Sequence, residues 1–371
     1  MVMKIIFWLC FGITAYAYIG YLILLRVYAH VRTLPVRTGD YRPRISLILA
    51  ARNEERNLLA KLDNLRALNY PQDRLQVVVA SDGSTDGTNE ILREHAQDVV
   101  AVFIDPSKGK ANALNAAVRS ATGEVLVFLD ARQSVAPDAL IELVSCLADP
   151  TVGAVSGELL LRSPIGKRMD TALGIYWRLE KAVRKLESAT GSVVGVTGAL
   201  YAVRRELYVE IPTGTVLDDV FVPMNVVRMG MRVIFQPSAV AYDYFFEEKG
   251  KEFSRKVRTL SGNYQLLRLA PWLLSPENPI FFRYVSHKLL RLFVPMFLML
   301  MLISCGVADG KFYSTMFALQ ICFYLLAFAG MAAPSARRLK PIAIANTFVM
   351  LNVAATLAFY NFAKGRSSSW S

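Results

Sequence analysis

Two kinds of apolar run divide the chain. Long, almost uncharged stretches occupy residues 5–25, 292–308, 312–333 and 341–363, close to the roughly 20 residues needed to cross the hydrocarbon core of a bilayer. Between the first and second of these the apolar runs are short, at 45–50, 76–80, 99–104 and 125–129, and Gly, Asp or Asn punctuates them. Short runs rich in Val and Ile predict strands buried on both faces of a mostly parallel sheet. Helical stretches at 54–68, 88–97 and 111–120 separate them, the second opened by Ser84, Thr85 and Asp86. Strand and helix in alternation predict a doubly wound α/β layer. Such a sheet binds ligands beyond the carboxyl ends of its strands. Polar residues gather there: Arg52-Asn53-Glu54, residues 81–86, and Asp130-Ala131-Arg132. Three strand ends carrying polar loops predict one shared cleft.

Composition agrees with a mixed membrane and globular chain. Hydrophobic residues make up 54% and charged residues 19%, against about 45–50% and about 25% for an average soluble domain, so a purely soluble or disordered chain is excluded. Lys and Arg number 42 against 30 Asp and Glu, an excess that suits a phosphate-bearing substrate or acidic lipid. Only Lys4 precedes the first apolar stretch, whereas Arg26, Arg32, Arg37, Arg42 and Arg44 follow it. The positive-inside rule then predicts a multi-pass plasma-membrane protein with residues 26–288 cytoplasmic. In that topology Asp309-Gly310-Lys311 is an external turn, Arg337, Arg338 and Lys340 return inside, and the tail with Lys364 and Arg366 lies outside. Ala15-Tyr16-Ala17 imitates a signal-peptide cleavage site, but the apolar run continues through Leu25. The organisation predicted is a transmembrane helix at 1–28, a basic linker at 29–42, an α/β body at 43–262, interfacial helices at 263–288 and three transmembrane helices at 289–371. Aromatic and basic residues from Tyr264 to Lys288 suggest the interfacial assignment; a helical hairpin buried in the globule is the alternative. The four cysteines show no CxxC spacing, so neither a disulfide framework nor a zinc cluster is expected. Basic residues cluster near the membrane flanks, where acidic lipid explains them without nucleic acid.

The cleft carries several candidate groups. SDGSTDGT (81–88) places carboxylates, glycines and hydroxyls in one strand-to-helix turn, where Asp82 could accept hydrogen bonds from a base edge or ribose; a capped loop would look the same. Lys108 and Lys110 stand ahead of a helix N-terminus, an arrangement suited to a diphosphate or simply a solvated pair. Asp130 could hold Mg²⁺ or Mn²⁺ at the phosphates of a nucleotide, since hard cations take oxygen ligands. Asp218 and Asp219 open a helix; adjacent carboxylates perturb one another, and one placed by an acceptor could deprotonate a hydroxyl, although a helix cap has the same pattern.

Taken in order, these motifs resemble the membrane-anchored family 2 glycosyltransferases, the group of cellulose, chitin and hyaluronan synthases, over roughly residues 43–262 and the flanking spans. The resemblance implies a GT-A fold, a nucleotide-sugar donor, usually UDP-linked, a saccharide or lipid-linked acceptor, and inversion at the anomeric carbon. Asp82 is similar to the family's nucleotide-binding aspartate, Lys110 to its diphosphate-side lysine, Asp130 to the first acid of the metal-binding DxD signature, and Asp219 to the catalytic base. Asp218 is expected to be catalytic with Asp219, and Asn53, Glu54 and Lys256 are expected among the donor-binding residues. GVTGALYAVRREL (195–207) is similar to the loop that shapes the acceptor site.

Two positions depart from the family pattern. Arg132 stands where the second DxD acid is usual, which suggests that it contacts phosphate and shares the metal's task. RKVRTL (255–260) stands for the QxxRW signature of polymerising members: Arg258 is retained to counter the leaving diphosphate, but Arg255 and Thr259 replace Gln and Trp, which argues against processive synthesis. Transfer of a single sugar to a polyprenyl phosphate or glycolipid is therefore one alternative. A non-catalytic nucleotide-binding subunit of a secretion complex is another.

Overall fold

The computed structural model describes residues 1–162, 171–244 and 251–365; the tail from Arg366 onward lies outside them. Eight strands form one mixed sheet: β1 (Ile45–Ala51), β2 (Leu75–Asp82), β3 (Val100–Ile104), β4 (Val125–Asp130), β5 (Ser134–Val135), β6 (Val152–Arg162), β7 (Leu200–Arg204) and β8 (Arg232–Tyr244). Their order is β3-β2-β1-β4-β7-β6-β8-β5. β3, β2, β1 and β4 are parallel, as is the β6–β8 pair, whereas β7 runs antiparallel to both β4 and β6 and β5 antiparallel to β8.

The parallel half follows from its composition. Every residue of β1 is buried, because alternate side chains enter two separate cores. Ile48, Val78, Leu126 and Phe128 face one core with the helices Lys110–Arg119 and Asp218–Arg228. Leu47, Leu49, Val79 and Val127 face the other with the helices Glu55–Arg66 and Ala139–Cys146. Burial on both faces removes the polar alternation of a half-exposed strand. Where the sheet changes direction, Phe128 of β4 stacks on its register partner Tyr201 of β7, ring centroids 4.6 Å apart.

Four helices are long and apolar enough to cross a membrane: Val2–Val31, Phe281–Val307, Lys311–Ala332 and Lys340–Ala363. Trp8, Leu9, Ile303, Leu325 and Phe328 point outward from them, as lipid-facing side chains do. The second begins at Phe281, earlier than residue 292, because His287 and Arg291 are taken up in polar contacts with Glu180 and Glu187 of the body. The segment 263–288 also differs from its expectation. The helix Lys251–Leu269 runs straight through residue 262, and Leu266, Ala270, Leu273, Ile280 and Tyr284 belong to the same core as β1 and β4. Part of the segment is thus built into the core, while Leu274 and Phe282 stay exposed; an aromatic and basic composition fits a domain core edge as well as it fits a headgroup layer. The basic linker is likewise held down, with Leu34 N–H on the Ala189 carbonyl and Arg37 N–H on Asp149.

Candidate active site

Parallel register brings the loops together. Ala50 of β1 pairs with Asp130 and Ala51 with Ser81, so Asp130 and Asp82 end the two strands flanking β1 at the same edge of the sheet, Asp82 two residues further along. Asn53 follows β1 in a left-handed conformation, φ 55°, which asparagine tolerates better than most residues. Its side-chain oxygen accepts the Thr85 N–H at 2.8 Å, and the Glu54 N–H donates to Thr88 Oγ1 at 2.9 Å. Asn53 and Glu54 thus lace the first loop to the second and shape the cleft wall.

Asp82 is fully buried. Its carboxylate accepts Ser107 Oγ at 2.6 Å, the Lys108 N–H at 2.7 Å and the Gly109 N–H at 2.8 Å. It therefore clamps the loop ahead of the Lys110–Arg119 helix, and a base would reach it only after that loop moved. Gly83 allows the close approach: its φ is +62°, and a Cβ there would lie 2.7 Å from Ser107 N.

The clamp delivers Lys110. Its Nζ lies 3.2 Å from Asp130 Oδ1 and 3.5 Å from Asp218 Oδ2. Burial alone would depress this ammonium, but Asp130, Asp218 and Asp219 reverse the effect and hold its proton above the ordinary lysine range. Asp218 is buried. Asp219, half-buried beside it, behaves differently: burial and the Asp218 charge push it up to about 7, against the pull of Lys110 and Lys288. A carboxylate titrating near neutrality is matched to a general-base task.

Asp219 sits against the 195–198 loop. The Val196 N–H donates to its carbonyl at 2.9 Å, and a Cβ on Gly198 would lie 3.4 Å from its Oδ2. Small residues here leave the Asp219 carboxylate reachable. The helix Lys251–Leu269 closes the far side: Gln265 accepts the Val216 N–H and donates to the Gly214 carbonyl, and Gly262 packs on Leu217. Arg258 lies one turn before Gly262 on that face, half-buried and without an ion pair among the described residues.

Two of the expected donor-binding residues have protein partners here. The Arg132 guanidinium pairs with Asp243 of β8, which also accepts Gln133 Nε2 at 3.2 Å. A carboxylate supplied by the far end of the sheet cancels the charge that replaces the second DxD acid. Lys256 lies over the Trp177 ring, 5.5 Å from its centroid, and so packs against the Thr171–Ala189 helix. Three residues went unrecognised in the sequence. Lys61 is buried and donates to the Gln133 carbonyl at 2.7 Å, fixing the turn behind Asp130; burial lowers its ammonium to about 8. Lys288 adds positive charge that favours the ionised form of Asp219. Asp243 is visible only through the β5–β8 pairing.

Comparison with known proteins gives the same picture. The profile of Glycosyl transferase family 2 matches residues 46–211. The poly-beta-1,6-N-acetyl-D-glucosamine synthase of Staphylococcus aureus is 26% identical over 232 residues, 60% of this chain and 55% of that protein. The Staphylococcus epidermidis enzyme of that name is 25% identical over 239 residues, 62% of this chain and 56% of that protein. The chain thus spans about half the length of the curated relatives it matches. Among solved structures, mannosyltransferase PcManGT from Pyrobaculum calidifontis, in complex with GDP-Man and Mn²⁺, superposes with a TM-score of 0.77 at 25% identity, covering 98% of this chain and 99% of that one. With its mixed sheet, acid-tipped strands and matching profile, the α/β body of this chain has a GT-A fold and is similar to the family 2 glycosyltransferases.

Proposed function

We propose that this chain transfers a sugar from a nucleoside-diphosphate donor to the hydroxyl of a saccharide or lipid-linked acceptor, with inversion, at the cytoplasmic face of the membrane, in the synthesis of a surface or secreted glycan. The observation that carries the reading is the cluster of Lys110, Asp130, Asp218 and Asp219 at the strand ends. Asp219 takes the acceptor proton as the oxygen forms its bond to the anomeric carbon. The bond from that carbon to the diphosphate oxygen breaks, and the diphosphate leaves with the electron pair. Lys110 offers a preorganised cation to the growing negative charge, and Arg258 is placed to add a second. Asp218 holds Lys110 and keeps Asp219 basic. The relatives support the donor class, since the similar structure holds GDP-Man; the arginines after the first span support the cytoplasmic placement.

The donor set fits a divalent cation held mainly by the substrate. Among the described residues no group of three or more His, Cys, Asp or Glu is arranged to hold a metal ion by itself, but Mg²⁺ and Mn²⁺ at nucleotides use one or two carboxylates and let phosphates and water complete the shell. Asp130, a third exposed at the rim, is that carboxylate. When bound, the ion would supply charge neutralisation for the leaving diphosphate. Mn²⁺ binding in the presence of nucleoside diphosphate, followed by electron paramagnetic resonance, should be lost in Asp130→Asn. Incubating the purified chain with UDP- and GDP-sugars, and weighing the products, tests the function: a sugar-extended acceptor is expected, and no turnover of any donor by a folded preparation would refute it.

A further inference from the structure

Outside the reacting cluster, a second concentration of buried charge lies where the Thr171–Ala189 helix meets the membrane helices. Glu180, Arg184 and Glu187 recur at spacings of four and three, one face of that helix. Glu187 is fully buried, accepts Tyr21 Oη of the first span at 2.7 Å, and faces His287 Nδ1 at 2.9 Å. Glu180 faces His287 Nε2 at 2.9 Å and accepts Arg291 Nη1 at 2.9 Å. The imidazole is thus bracketed by carboxylates and donates from both nitrogens only as imidazolium. Arg184, on the same face, turns the other way. It donates to Ser156 Oγ at 2.5 Å and to Thr197 Oγ1 at 2.9 Å, and lies 4.3 Å from the centre of the Phe235 ring. Ser156 Oγ in turn accepts the Thr197 N–H at 2.9 Å. Thr197 belongs to the loop that borders Asp219.

We propose that Arg184 is a positioning residue that holds the 195–198 loop against the base, and that the Glu180–His287–Glu187 bridge sets its register by clamping its helix to the membrane spans. The inference rests on the reading of Asp219 as base. It makes acceptor placement depend on how the body is seated on its membrane helices. A planar guanidinium suits the task because it bonds two hydroxyls and lies over an aromatic ring at once.

Full-length protein in detergent, as wild type, Arg184→Gln, His287→Gln and the double variant, tests this by two readouts. Hydrogen exchange reads the loop without turnover: the Val196 and Thr197 amides should exchange at least 10-fold faster in Arg184→Gln, and unchanged exchange overturns the proposal. In turnover, kcat should fall and acceptor KM should rise at least 10-fold in Arg184→Gln, with donor KM unchanged; a uniform loss in proportion to folded protein overturns it. His287→Gln should show the same pattern more weakly, and the double variant should be no worse than Arg184→Gln. Additive losses would sever the bridge from the loop. A wild-type chain inert to every nucleotide sugar would sink the glycosyltransferase reading, while loop exchange would still report whether Arg184 holds the loop.

Discussion

Replacing Lys110 with methionine removes the cation shared by Asp130 and Asp218. Asp218 keeps only 7% of its side chain exposed, against 25% for Lys110 and 35% for Asp130. Breaking a fully buried pair costs about 3–5 kcal/mol; the partial exposure here brings the expected loss of stability to roughly 1–3 kcal/mol. Because the Lys110 ammonium is held above its unfolded value, its contribution is full at neutral pH and fades only on the alkaline side of the ordinary lysine range. The catalytic effect should be larger, about 10²–10³ in kcat, as for loss of one preorganised group at a developing charge. A second signature separates electrostatics from misfolding. Lys110 is the leading charge that holds Asp219 down, so without it Asp219 ionises at higher pH. A base works only when ionised, and the acid limb of kcat should move above about 7, by about 1 pH unit for about 1.4 kcal/mol of lost attraction. The variant should therefore lose more rate at pH 6.5 than at pH 8.5. Thermal unfolding at pH 7 and pH–rate profiles on both proteins check this. A limb that stays in place, with less than a tenfold loss of rate, would refute the assignment of Lys110 to the reacting cluster.

Two glycines give sharper geometric tests. Gly198→Ala puts a methyl group in ordinary contact with Asp219, 3.4 Å from Oδ2, so stability should change by less than about 0.5 kcal/mol while acceptor KM rises severalfold in steady-state kinetics. Gly83→Ala imposes both a left-handed φ and a 2.7 Å clash with the Ser107 backbone; it should cost roughly 1–3 kcal/mol in denaturant unfolding and weaken nucleotide binding by calorimetry, since Asp82 could no longer clamp the 107–109 loop.

The parallel half of the fold is legible because β1 and β4 are buried on both faces and stand as apolar runs; β3, expected to be buried likewise, is an edge strand with Val100 and Phe103 exposed. β5 to β8 are not legible: Arg232, Gln236 and Asp243 interrupt β8, and β7 begins inside what reads as a glycine loop. The acids of the site are legible for a different reason. Asp82, Asp130 and Asp218-Asp219 each end a strand or open a helix, positions where local sequence dictates geometry. Their partners are set by tertiary contacts. Nothing in the sequence around Arg132 announces Asp243, more than 100 positions away, and nothing around His287 announces Glu180 and Glu187. The segment 263–288 shows the limit most plainly, since aromatic and basic residues look the same at a lipid boundary and at the edge of a core.

The central claim is that Asp219 is the base of a sugar-transfer site built on Lys110 and Asp130. Single-turnover kinetics of Asp219→Asn, run beside calorimetric binding of the nucleoside diphosphate, tests it most directly. The account predicts transfer slowed at least a thousandfold with nucleotide affinity within a factor of about three. Transfer at a near wild-type rate would contradict it.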